Sequence, residues 1–272
     1  MKTIIITGVT GAIGRSAVTE LAGRGNLNLV LVGRSYEKLK EIALSLPSAE
    51  NRVDIFEADL SDLNSVRRLL SEIRKNYNEL HALINVASVY KSQKVLTSQQ
   101  YETMFATNHL GPFVLTTGLL ELIKRTPGAK VLTVAAPSKM KIDFGNLNGE
   151  RKFSSFNAFV GSKMLNLLMA FGLSASFKNS DHASLAFHPG FVKSDLLRES
   201  PALVRRIFNF IATSPEKTGK AIADLVLSME SKAQNGKFYD RNLRELQAAS
   251  YAYDRVIQHR LWATSEHLAA GS

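Results

Sequence analysis

The chain has 272 residues, with 34 Lys or Arg against 24 Asp or Glu and a formal net charge of +10. Its 45% hydrophobic and 21% charged residues exclude a disordered, collagen-like or coiled-coil chain, and the lack of cysteine excludes disulfides, thiolate catalysis and Cys-ligated metals. The basic excess is dispersed, no apolar run approaches the roughly 20 residues of a membrane-spanning helix, and Met1-Lys2-Thr3-Ile4 lacks a signal-peptide pattern, so no nucleic-acid partner, no membrane span and a cytoplasmic location are expected.

Lys2 to Thr7 is a β-branched run that meets Gly8 at once, and Ala12 to Arg24 then shows helical periodicity. The same grammar recurs. Strand Leu27 to Val32 is followed by helix Tyr36 to Leu46, strand Val53 to Glu57 by helix Leu63 to Asn76, and strand Ala82 to Val86 by a long helix Tyr101 to Arg125. Strand Lys130 to Ala135, helix Ala158 to Lys178 and strand Ala183 to His188 complete the regular part. This alternation predicts an α/β fold, a doubly wound, mostly parallel Rossmann-type sheet with helices on both faces. No linker or composition break divides it, so residues 1–272 are expected to form a single domain.

Beyond Pro189-Gly190 the pattern loosens. A helix is expected from Pro215 to Met229, a short strand from Gly236 to Asp240 and a terminal helix from Leu243 to Leu268. The basic and apolar stretch Leu203 to Ile211 is expected to belong to a flexible helical flap over a substrate cleft, about residues 194–213, in preference to a membrane-surface helix. The long helices from Tyr101 and Ala158 offer faces through which a homodimer could form.

In an open parallel sheet, ligands bind outside the carboxyl ends of the strands. The first turn reads Thr7-Gly8-Val9-Thr10-Gly11-Ala12-Ile13-Gly14-Arg15. Gly8 permits the tight turn, Gly14 lets helix pack on strand, and the free N–H groups of the turn, across Thr10, Gly11 and Ile13, attract phosphate. An NAD site would carry an acid about 20 residues on, at the end of the second strand. Gly33-Arg34 stands there instead, and Arg34 with Arg15 offers guanidinium groups to a 2′-phosphate, which favours NADP(H). The six histidines show no metal-ligand spacing and Gly-x-Ser-x-Gly is absent, so neither a metal site nor a hydrolase elbow is expected.

These motifs resemble the short-chain dehydrogenase/reductase family, its retinol dehydrogenase-like branch in particular, over nearly the whole chain. Thr7-Gly8-x-x-x-Ala12-Ile13-Gly14 is similar to the family's Thr-Gly-x-x-x-Gly-x-Gly turn, with Ala12 at the middle glycine. Asp59-Leu60 resembles the pair that contacts adenine, and Asn85-Val86-Ala87-Ser88 resembles the Asn-Asn-Ala-Gly segment after the fourth strand. Asn108-His109-Leu110-Gly111 is similar to the segment whose asparagine belongs to the catalytic tetrad. His188-Pro189-Gly190-Phe191-Val192-Lys193-Ser194 resembles the loop that binds the nicotinamide carboxamide, which implies cofactor contacts at Pro189, Gly190, Val192 and Ser194 beside those of Asn85, Ala87 and Lys163. Arg260-Leu261-Trp262 with Ser265-Glu266 resembles the branch's terminal helix.

The resemblance also implies a Tyr-x-x-x-Lys pair and a helping serine: the phenol gives the proton, the lysine acidifies it and holds the ribose, and the serine orients the carbonyl. The matching positions are Phe159 and Lys163, with Ala136 in the serine's place, so the catalytic candidates are Asn108, Lys163, Tyr90, Phe159 and Ala136. Losing a general acid costs roughly 10² to 10⁴ in rate and losing an oxyanion donor about 10² to 10³, which argues against ordinary alcohol or ketone chemistry. Three readings follow. One is NADP(H)-dependent hydride transfer to an activated C=C or C=N bond of a small apolar substrate, with Tyr90 first among possible donors, before Ser88, Ser138, Lys139 or water. Another is a non-redox cyclase or isomerase with a cleft walled by Phe153, Phe156, Phe159 and Phe191, residues that at such spacing are more commonly plain core. The last is a catalytically silent NADP-binding regulator.

Overall fold

The computed structural model describes residues 1–47, 50–194, 196, 199, 212–227 and 230–271. Strands β1 (Lys2–Thr7), β2 (Leu27–Gly33), β3 (Arg52–Glu57), β4 (Ala82–Asn85), β5 (Lys130–Val134), β6 (Ala183–His188) and β7 (Phe238–Asp240) form one sheet. It has seven strands in the order β3-β2-β1-β4-β5-β6-β7, each parallel to its neighbours. The doubly wound sheet and single domain expected from the alternation are thus present. β1 and β2 are apolar on both faces because both faces are covered. Ile4 and Ile6 pack with Leu29 and Leu31 against α1 (Ala12–Ala22) and α2 (Tyr36–Ser45), while Ile5 packs with Val30 and Val32 against α3 (Leu63–Asn76). Side chains alternate across a strand, so a single run of isoleucine feeds two cores.

The long helix expected over Tyr101 to Arg125 is broken. Glu102, its carboxylate accepting from the Met104 and Phe105 amides, caps a short α4 (Thr103–Phe105). A π-helical turn, Ala106–Leu110, follows, closed by the Gly111 N–H donating to Ala106 O. Pro112 at the start of α5 (Gly111–Gly118) has no N–H for the carbonyl four residues back, and a widened turn is one way the backbone absorbs that loss. Leu119 then separates α5 from α6 (Leu120–Arg125).

Helix α7 (Ser155–Ser176) begins before Ala158 because Ser154 Oγ accepts from the Asn157 amide. Among the described residues it alone is long and apolar enough to cross a membrane, but its best window is 67% buried inside the fold, where it packs on β5 and β6 and on the C-terminal helix. Its apolarity is that of a core helix. Helix α8 (Glu216–Leu227) lies against α1, so near that Ser16 Oγ donates to Pro215 O.

The terminal helix expected from Leu243 is also shortened. Leu243 adopts a positive φ of 61°, and the Leu246 amide donates to Phe238 O, so this stretch runs beside β7 and the next helix starts only at Ser250. The remaining helices among the described residues are α9 (Ser231–Gln234), α10 (Ser250–Tyr253) and α11 (Arg255–Ala270), the last capped by Asp254. Backbone bonds to the edge strand outweighed the local helical preference. The expected flap, about 194–213 and including Leu203 to Ile211, falls almost wholly outside the described residues.

Candidate active site

The strand order reverses between β1 and β4, and the glycine turn lies at the end of β1. Gly8 has a φ of +72°, and a Cβ on it would lie 2.6 Å from Ala87 Cα; one on Gly14 would lie 2.3 Å from Gly8 O. The turn is therefore wedged between α1 and the segment after β4. Thr7 ties the two strand ends, its Oγ1 accepting from the Val86 and Ala87 amides at 3.2 and 3.3 Å. Gly11 precedes α1 as its N-cap, exposed and with no side chain capping the helix, so first-turn amides near Ile13 remain for a ligand's oxygens. This turn has the room and the donors that the phosphates of a dinucleotide need.

Thr10 is exposed near Gly33, and Arg15 and Arg34 are exposed without an ion-pair partner among the described residues. The acid nearest the end of β2 in register is Glu57, which accepts from the Tyr36 amide at 3.4 Å. Asp59 turns Oδ1 onto the Ser61 amide and hydroxyl, both at 2.8 Å. Leu60 is 4% exposed and packs in the core, leaving its backbone as the part available to a ligand. Asn85 is buried, its Nδ2 donating to Thr116 Oγ1 and its Oδ1 without a donor among the described residues.

Around the catalytic candidates, Asn108 sits in the π-helical turn, fully buried. Its Oδ1 accepts from the Val89 amide at 2.7 Å, and its Nδ2 donates to Val89 O at 3.0 Å and to Ser162 Oγ at 3.1 Å. Ser162 in turn donates to Phe159 O at 2.7 Å. One asparagine thus clamps the segment after β4 and links it to α7. Ser162 was not singled out from the sequence; its only signal there is its place beside Lys163.

Lys163 is buried and donates from Nζ to Ser88 Oγ at 2.9 Å, with its ammonium 5.4 Å from the centroid of the Phe159 ring. Burial lowers its pKa from 10.5 to about 8, and no carboxylate lies within ion-pair distance of it among the described residues. Tyr90 meets the Phe159 ring edge-on at 5.8 Å and donates to Ser155 Oγ at 3.2 Å. Ala136, half-buried just after β5, brings only a methyl group, and Ser138 Oγ beyond it accepts from the Met140 amide.

The loop after β6 closes the far side. Pro189 is buried and its carbonyl accepts from Thr218 Oγ1, Gly190 has a φ of +73°, Val192 is buried and bridges to Thr213, and Ser194 is exposed. Lys91 Nζ pairs with Glu199 Oε1 at 2.6 Å, joining the β4 loop to the chain beyond β6. Phe156 and Phe191 are 68% and 51% exposed, so neither is the core residue that its spacing suggested. A cavity of about 500 Å³, lined by Met140, Ile142, Phe153, Gly161 and Leu165 among others, opens beside α7. Another of about 350 Å³, with Lys2, His81 and Lys130 in its wall, lies at the opposite ends of the strands, away from Lys163.

The family profile described as short chain dehydrogenase matches residues 2–202. Human retinol dehydrogenase 13 is 30% identical over 98% of this chain and 84% of its own length, and mouse retinol dehydrogenase 12 is 29% identical over 97% and 85%. Among solved structures, an uncharacterized protein from Mycobacterium Paratuberculosis superposes with a TM-score of 0.80 at 26% identity, covering 99% of this chain and 94% of that one. A short chain dehydrogenase from Burkholderia cenocepacia J2315 in complex with NADP shares the fold, with a TM-score of 0.69 at 17% identity over 88% and 95% of the two chains. With a matching profile across most of its length and relatives aligned almost end to end, the chain belongs to the short chain dehydrogenase family.

Proposed function

We propose that this protein is an NADP(H)-dependent oxidoreductase that reduces an activated C=C or C=N bond of a small apolar substrate in preference to a simple ketone. When bound, the cofactor supplies the hydride. The α1 amides and the glycine turn would hold its phosphates, and the exposed guanidinium groups of Arg15 and Arg34 favour a 2′-phosphate over a bare ribose hydroxyl. The NADP complex of the Burkholderia neighbour and the retinol dehydrogenase names of the relatives are consistent with this class.

One observation carries the choice of substrate. Lys163 Nζ is directed at Ser88 and the Phe159 ring, and neither Phe159 nor Ala136 has a hydroxyl to give. We read these two positions as those where the family has its tyrosine and serine. A ketone becomes an alkoxide on reduction and needs a strong donor, whereas an iminium loses its charge and needs none, and a conjugated ketone delocalises its charge as an enolate. The exposed rings of Phe156 and Phe191 suit an apolar substrate.

The test uses NADPH deuterated at the transferred position, with a cyclic enone, a cyclic iminium and a matched ketone. Deuterium is expected in the products from the enone or the iminium, with ketone turnover lower by about 10² or more. Absence of NADPH binding by calorimetry, or brisk ketone reduction, overturns the reading.

A further inference from the structure

Resting on the reduction reading, a second question concerns the proton. When hydride adds to the β-carbon of an enone, the C=C electrons move onto the carbonyl oxygen, and the resulting enolate needs a donor close by. The hydroxyls around Lys163 are not equivalent. Ser162 both accepts and donates, and the Tyr90 hydroxyl already donates its hydrogen bond to Ser155 Oγ. Ser88 accepts from Lys163, and no described residue takes its own proton. Its backbone is anchored on both sides, through the Val86 and Ala87 amides on Thr7 Oγ1 and through Val89 on the Asn108 amide. A hydroxyl fixed in this way needs little reorganisation to meet a developing charge.

We propose that Ser88, backed by the Lys163 ammonium, is the hydroxyl donor to the substrate oxygen that becomes negative during reduction. The Ser88 O–H bond breaks as its proton passes to the enolate. A proton from Lys163 Nζ replaces it on Ser88 Oγ, and solvent water restores Lys163. The substrate gains one hydride and one proton, and the nicotinamide cofactor is oxidised. The buried ammonium, with a hydroxyl and a ring face as its partners among the described residues, stabilises the oxyanion through Ser88.

The probe is 4-nitrophenol, whose phenolate resembles an enolate and absorbs visible light, titrated into the full-length protein saturated with oxidised NADP. It is expected to bind as the phenolate, and Ser88→Ala should raise the pKa of the bound phenol by about one unit while Ser88→Thr restores it. On an enone, Ser88→Ala should lower kcat about 10²- to 10³-fold with KM changed less than about threefold, and Ser88→Thr should recover most of it. Circular dichroism confirms that each variant is folded. If Ser88→Ala weakens NADPH binding but leaves the phenol's ionisation unchanged, Ser88 only holds the cofactor and the proposal falls. If the wild type transfers deuterium and Ser88→Ala does so as fast, the proposal also falls while the reduction reading stands. Ser88-dependent ionisation without any deuterium transfer supports the oxyanion site and overturns the reduction reading instead.

Discussion

Lys163 concentrates the chemistry of the site at the residue scale. Burial favours its neutral form, so the ammonium that polarises Ser88 is held only up to about pH 8. Reduction of an enone is therefore expected to be flat below that pH and to decline above it, in a kcat–pH profile recorded with saturating NADPH. Phe159 and Ala136 supply the converse experiment. The double variant Phe159→Tyr with Ala136→Ser places a phenol above Lys163 and a hydroxyl after β5, and ketone reduction should rise by about 10²-fold or more, followed as NADPH oxidation. A double variant that binds NADPH and gains no ketone activity would mean that these two side chains do not sit where a carbonyl oxygen can reach them.

Elements decide how these residues meet. The glycine turn works because α1 approaches β1 without side chains between them, and Gly14→Ala would put a methyl 2.3 Å from Gly8 O. That clash should cost about 1 to 3 kcal/mol and weaken NADPH binding about tenfold or more, read by thermal melting and by titration. The π-helical turn has a comparable role for Asn108, aiming both ends of its amide at Val89. Asn108→Ala should lose about 1 to 3 kcal/mol by leaving the Val89 amide and carbonyl without those partners, measured by urea denaturation.

Over the whole molecule, three clusters of buried apolar side chains support the site, and one of them is bordered by a titratable group. His109 has no solvent exposure, lies between the tilted rings of Phe105 and Phe113 and shares a hydrogen bond with Ser265 Oγ at 3.1 Å. Burial lowers its pKa from 6.5 to about 4. Between those values the unfolded chain takes up a proton that the folded chain refuses. Its contribution to stability, complete above pH 6.5, is therefore lost as the pH falls toward 4, by about 3 kcal/mol in all. Denaturation midpoints across this range should fall with acid, and His109→Gln should flatten that part of the curve.

Much of the architecture was legible in the residues themselves, because a buried parallel sheet demands near-continuous apolar strands such as Ile4 to Ile6 and Leu29 to Val32, and because a phosphate cradle demands glycine at positions like Gly8 and Gly14. Those requirements are local and leave their mark in the order of residue types. The contact between Lys163 and Ser88 is of another kind, since 75 positions separate them along the chain. The broken helix after Glu102 and the amide of Asn108 folded back onto Val89 likewise depend on which strands become neighbours. A hydrogen bond between distant residues has no period and no spacing; only the approach of the segment after β4 to α7 determined which hydroxyl accepts the lysine's hydrogen bond.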